Sequence, residues 1–108
     1  MKSECRSWMS IERYRDFYDV PRLMLTSDDG GEYWIFDCPF DDVEDKYPSI
    51  YRVFSVGKNF QEAIGRFHSS GEWNKVSPVA EIEVQTLLFD DTRREKFRWP
   101  GIQALLGH

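Results

Sequence analysis

The chain has 108 residues, of which 41% are hydrophobic, 16% aromatic and 31% charged; nineteen acids outnumber fourteen Lys and Arg, for a net charge of -5. That length suits one domain, and the apolar and aromatic content excludes a disordered chain. Composition also excludes a collagen, a coiled coil or a disulfide scaffold, and no apolar run approaches the ~20 residues of a membrane span. The expectation is a single globular domain over residues 1–108, with residues 1–12 a loosely ordered arm.

Glu4, Arg6, Glu12, Arg13 and Arg15 interrupt any apolar stretch near the start, so no secretory leader is read there. Cys5 and Cys38 stand in no Cys-x-x-Cys pattern. Two reduced thiols in a cytoplasm are the simplest reading, with a single bridge as the alternative.

In chain order, residues 13 to 18 suggest an edge strand, with a helical face around Trp8, Ile11 and Arg15 as a weaker competitor. Pro21 to Ser27 and Glu32 to Phe36 are two apolar runs around Asp28-Asp29-Gly30-Gly31. Gly supplies the positive φ of tight turns, so this pattern predicts a β-hairpin. Asp37 to Pro48 (DCPFDDVEDKYP) cannot extend the second strand, because Pro39 and Pro48 lack donors and the acids repel one another. It reads as a long ordered loop. Ile50 to Val56 is rich in β-branched and aromatic residues and reads as a third strand.

The period then changes. Phe60, Ala63, Ile64 and Phe67 fall at i, i+3, i+4 and i+7, the stripe of an amphipathic helix near residues 59–69. Asn59 is placed to cap it, and Gly71 to end it. Glu81 to Phe89 alternates as a long fourth strand, and Arg93 to Trp99 reads as a fifth after a turn at Asp90-Asp91-Thr92. Pro100 suits the first position of a short C-terminal helix with Ile102, Leu105 and Leu106 on its apolar edge. The fold class is therefore α+β, mainly β: four or five mostly antiparallel strands curled into a sheet or half-barrel with one packed helix. Tyr33, Trp34, Ile35 and Phe36 make both faces of their strand apolar. Either both faces are covered or one is an exposed patch, and a core on both sides is the preferred reading.

Five carboxylates, Asp37, Asp41, Asp42, Glu44 and Asp45, fall within nine residues. An EF-hand count from Asp37 fails, because Asp42 stands where Gly is needed and Pro48 where Glu is needed. The choice is between a solvated charge run and a surface for a basic partner. No motif of a nucleophile family surrounds Cys38, so a Cys38 pair with His68 or His108 is weak. Zinc ligand spacing is absent, and no cofactor motif is present. Arg93, Arg94, Lys96 and Arg98 interleave with Phe97 and Trp99 like a small base-stacking strip. The acidic balance of the chain argues against nucleic acid, and pairing of these arginines with Asp90, Asp91 or the acidic loop is preferred.

The resulting expectation is a small cytoplasmic interaction domain without catalysis, an acidic inhibitor or immunity-type protein that binds a basic protein partner. Its expected contact residues are Asp37, Phe40, Asp41, Asp42, Glu44, Asp45 and Tyr47. The alternative is a ligand binder or enzyme with an aromatic pocket near Cys38, lined by Trp34, Phe54 and Phe67. Self-association through the apolar strand is a third class.

Overall fold

A computed structural model describes residues 7–68 and 77–99. Its strands are β1 (Ser7–Tyr18), β2 (Val20–Ser27), β3 (Tyr33–Asp37), β4 (Ile50–Ser55), β5 (Ala80–Glu83), β6 (Leu88–Phe89) and β7 (Lys96–Trp99), with helix α1 (Phe60–His68) between β4 and β5. The seven strands form one sheet in the order β5-β4-β3-β2-β1-β7-β6. Every pairing is antiparallel.

Ring distances show how strongly the sheet curls. β3 and β7 are separated by β2 and β1. In a flat sheet three strand spacings put them ~14 Å apart. Instead Trp34 and Trp99 have centroids 6.0 Å apart, and Phe36 meets both Phe97 and Trp99 at 5.3 Å. The sheet is a half-barrel, and its inner face closes on one aromatic cluster that includes Met9, Met24, Cys38, Tyr51 and Ile82. The other face of β2, β3 and β4 supplies Leu23, Leu25, Ile35 and Phe54, joined by Val56 just after β4, and α1 covers them with Ala63 and Phe67. Both faces of β3 are therefore buried, one by curling and one by a helix.

The hairpin over β2 and β3 forms as expected. Asp28 Oδ1 accepts from Gly30 N and Glu32 N, both at 2.9 Å, and Gly31 takes φ of +84°. The helix also forms where its stripe lies, and Asn59 Oδ1 caps it through Glu62 N at 2.9 Å. Gly71 and the helix after Pro100 lie outside the described residues.

Three expectations need correction. First, the described residues form seven strands rather than four or five. Second, β1 begins at Ser7, so residues 7–12 belong to the sheet rather than to an arm. β1 is also an interior strand, between β2 and β7. The register slips between Ile11 and Arg13, so Glu12 is an extra residue in a bulge. Met9 and Ile11 pack on the inner cluster before the bulge, and Tyr14 pairs with Met24 after it. A bulge resets alternation, which is why neither period fits this stretch.

Third, Glu81 to Phe89 is not one strand. A 3-10 turn over Val84–Thr86 separates β5 from β6, with Val84 N bonded to Ser49 O at 2.8 Å. β5 and β6 are the two outer strands of the sheet, so the chain must cross from one edge to the other here. Likewise β7 starts at Lys96 rather than Arg93. Residues 90–95 are a turn in which Asp90 Oδ1 accepts from Arg93 N at 2.9 Å.

Candidate functional site

The segment between β3 and β4 is built as a small hairpin. Pro39 ends the strand, having no N–H to donate. Asp41 and Lys46 then exchange two backbone bonds of 2.8 and 3.2 Å. Inside this bridge Asp41 Oδ1 accepts from Val43 N at 3.0 Å and Glu44 N at 3.2 Å. Asp45 closes the turn with φ of +59°, a conformation that Asp tolerates better than most residues. The tip is therefore an ordered turn made by its own side chains.

The expected contact residues do not act as one set. Asp37 is the last residue of β3, 6% exposed, between Leu23 and Arg52 in the register. It belongs to the sheet and not to the surface of the loop. Asp41 is occupied in forming the turn. Asp42, Glu44 and Asp45 are exposed, and among the described residues no hydrogen bond or ion pair engages their side chains. Phe40 is 44% exposed and meets the half-buried Tyr47 edge-on, at 5.1 Å and 81°. The Arg22 guanidinium covers the Tyr47 ring and anchors the hairpin to β2.

Two apolar contributors were not expected. Val43 stands at the apex, 92% exposed, and Ile50 at the start of β4 is also exposed. With Pro39, Phe40 and Pro48 they line one shallow dish, whose charged lining is Asp41, Asp42, Glu81 and Arg52. The signal for Val43 was in the string DDVED: two acids on each side leave it no route into a core. Ile50 gave no signal, because a β-branched residue opening a strand reads as buried.

Cys38 lies in the inner cluster. Its thiol donates to Pro48 O at 3.1 Å, and Arg22 Nη1 reaches its sulfur at 3.7 Å. Burial pushes the thiol above its ordinary range, against the opposing effect of Arg22. His68 is on α1 with its ring against Phe67, on the opposite side of the sheet. The Cys38–His68 pair is therefore not formed, and His108 lies outside the described residues. The pocket expected from Trp34, Phe54 and Phe67 is divided in the same way. Trp34 faces the inner cluster, whereas Phe54 and Phe67 pack under the helix. Among the described residues, no three His, Cys, Asp or Glu side chains converge as a metal site would require.

The basic segment is engaged differently from expectation. Phe97 and Trp99 are buried, so neither can stack a base. Arg93 Nη1 binds Asp19 Oδ1 at 3.0 Å, not Asp90, Asp91 or the acidic hairpin. Arg94 lies over Phe17 at 4.7 Å, and Lys96 and Arg98 lie over Trp8 at 4.8 and 5.6 Å. No helix of the described residues is long and apolar enough to cross a membrane.

Comparison of the chain with protein families, curated proteins and solved structures finds no match.

Proposed function

We propose that this protein is a small non-catalytic interaction domain whose 39–50 hairpin grips a basic protein partner. One observation carries the reading: Val43 is 92% exposed at the apex of a turn tied by its own hydrogen bonds. A rigid turn that holds an apolar side chain in water is suited to insertion into a partner, because little ordering entropy is lost on binding. Phe40 and Ile50 broaden the apolar contact; Asp42 and Glu81 edge it together with Arg52, and the exposed Glu44 and Asp45 add negative charge at the hairpin tip. Such an acidic tip speeds encounter with a basic surface, while the apolar centre sets the lifetime of the complex. Acidic inhibitors of basic proteins would use the same division of labour. The free buried thiol of Cys38 suits a reducing compartment, in keeping with a cytoplasmic site of action.

The test is affinity capture at low salt with the wild-type chain, a D42N/E44Q/D45N variant and a Val43→Ser variant. Basic proteins retained by the wild type should be lost with the charge variant and released faster from Val43→Ser. Capture that is unchanged by both sets of substitutions would remove the hairpin as the binding element.

A further inference from the structure

A second concavity borders the dish at Pro48 and is also lined by Tyr47. It is a cleft of about 510 Å³ at one end of the half-barrel, where the 3-10 turn joins the two sheet edges. Clefts that hold small ligands run from ~300 to ~1,000 Å³. Its apolar lining includes Val20, Val84, Leu87 and Phe89, and Leu87 and Phe89 continue directly into the inner core. Its charged lining is Arg22, Arg93 and Asp19. Two guanidinium groups against one carboxylate reverse the sign of a chain whose net charge is -5.

Arg93 is held for this position twice over. Its backbone takes φ of +61° in the β6–β7 turn, capped by Asp90. Its Nη1 donates to Asp19 O at 2.9 Å and Asp19 Oδ1 at 3.0 Å. Among the described residues nothing engages Nη2 or Nε. A planar guanidinium fixed at one nitrogen still offers donors suited to a carboxylate. Arg22, stacked on Tyr47, adds a second positive charge at the rim.

We propose that this cleft binds a small monocarboxylate with an apolar body, its head on Arg93 and its tail over Val20, Leu87 and Phe89. The Asp19 carboxylate beside Arg93 selects against a dianion such as a phosphate monoester, because repulsion grows with the ligand's charge. This site is separate from the hairpin tip, so either can fail without the other.

The experiment is an amide NMR titration of the whole chain with sodium octanoate, with octanol as the neutral control. Octanoate should give saturable shifts at Val20, Leu87 and Phe89, and octanol should bind at least about tenfold more weakly. Arg93→Gln should weaken octanoate about tenfold, with partial recovery in Arg93→Lys. Arg93 is exposed and its pair with Asp19 is a surface one, so these variants keep the fold. The D42N/E44Q/D45N variant should bind octanoate as the wild type does. The proposal is overturned by equal binding of octanol, by no change in Arg93→Gln, by shifts confined to other residues, or by no saturation up to about 10 mM.

Discussion

The Arg22 guanidinium carbon stands 4.7 Å from the centroid of the Tyr47 ring. That stack joins β2 to the hairpin, and Phe40 packs on the same ring. Pro48 borders both the dish at the hairpin tip and the cleft at the barrel end, whereas Tyr47 lines the cleft and not the dish. Cation–π and aromatic pairs each contribute ~0.5–2 kcal/mol. Tyr47→Ala should therefore cost about 1–3 kcal/mol in urea denaturation and speed hydrogen exchange at Lys46 N. Arg22→Lys keeps the charge but loses the flat stack, and should fall between wild type and Tyr47→Ala. Unchanged exchange at Lys46 in Tyr47→Ala would show that the turn stands without this anchor.

Asp28 should be the costliest exposed-turn position to change. Its Oδ1 serves two backbone amides, and its Oδ2 accepts from Trp34 Nε1 at 3.2 Å. Trp34 is buried, so losing the acceptor strands an indole N–H away from water. Asp28→Ala should cost about 2–3 kcal/mol by chemical denaturation, and Asp28→Asn distinctly less. Equal effects of the two would mean that charge rather than hydrogen bonding matters at this turn.

In α1, two substitutions should move stability in opposite directions. Asn59→Ala removes the acceptor of Glu62 N and should cost about 1 kcal/mol. Gly65 is exposed, and a Cβ added there meets nothing within 4 Å. Gly65→Ala should therefore stabilise by about 0.5–1 kcal/mol. The pair can be read from thermal melts of the two variants beside the wild type.

High pH should weaken the fold through two buried groups. Burial raises the Cys38 thiol, and burial first and Cys38 second raise the Tyr51 phenol, whose O–H donates to Pro21 O. In both cases the folded state holds its proton more tightly than the unfolded state. Their contribution is thus complete below about pH 8.5, the unfolded thiol value. It is lost progressively as pH rises past that point and past about 10, the unfolded phenol value, toward the folded values. Tyr51→Phe should flatten the loss that begins near pH 10 and leave the earlier part. Denaturation curves across this range check it, and a native Cys38 that reacts freely with a thiol reagent would contradict its burial.

The elements legible in the sequence were those specified by neighbours in the chain. Asp28 through Gly31 forms its turn from its own donors and acceptors, and Asn59 caps the helix three residues on. Their chemistry acts within a few residues, so a string of letters contains it. The acidic hairpin was legible as an ordered loop for the same reason. Its division into Asp37 in the sheet, Asp41 inside the turn and the three acids at the surface was not.

What escaped depended on contacts between distant residues. The bulge at Glu12 erased the period of β1, and the broken strand at Val84–Thr86 exists because two sheet edges must be joined. The separation of Cys38 from His68, and the cleft between Arg22 and Arg93, arise only when the sheet curls. Composition and local pattern determined a β-rich, aromatic domain with a helix at Phe60–His68 and an acidic turn. Tertiary structure alone decided which aromatic rings are core and which charges remain in water, because burial is set by what packs on each face.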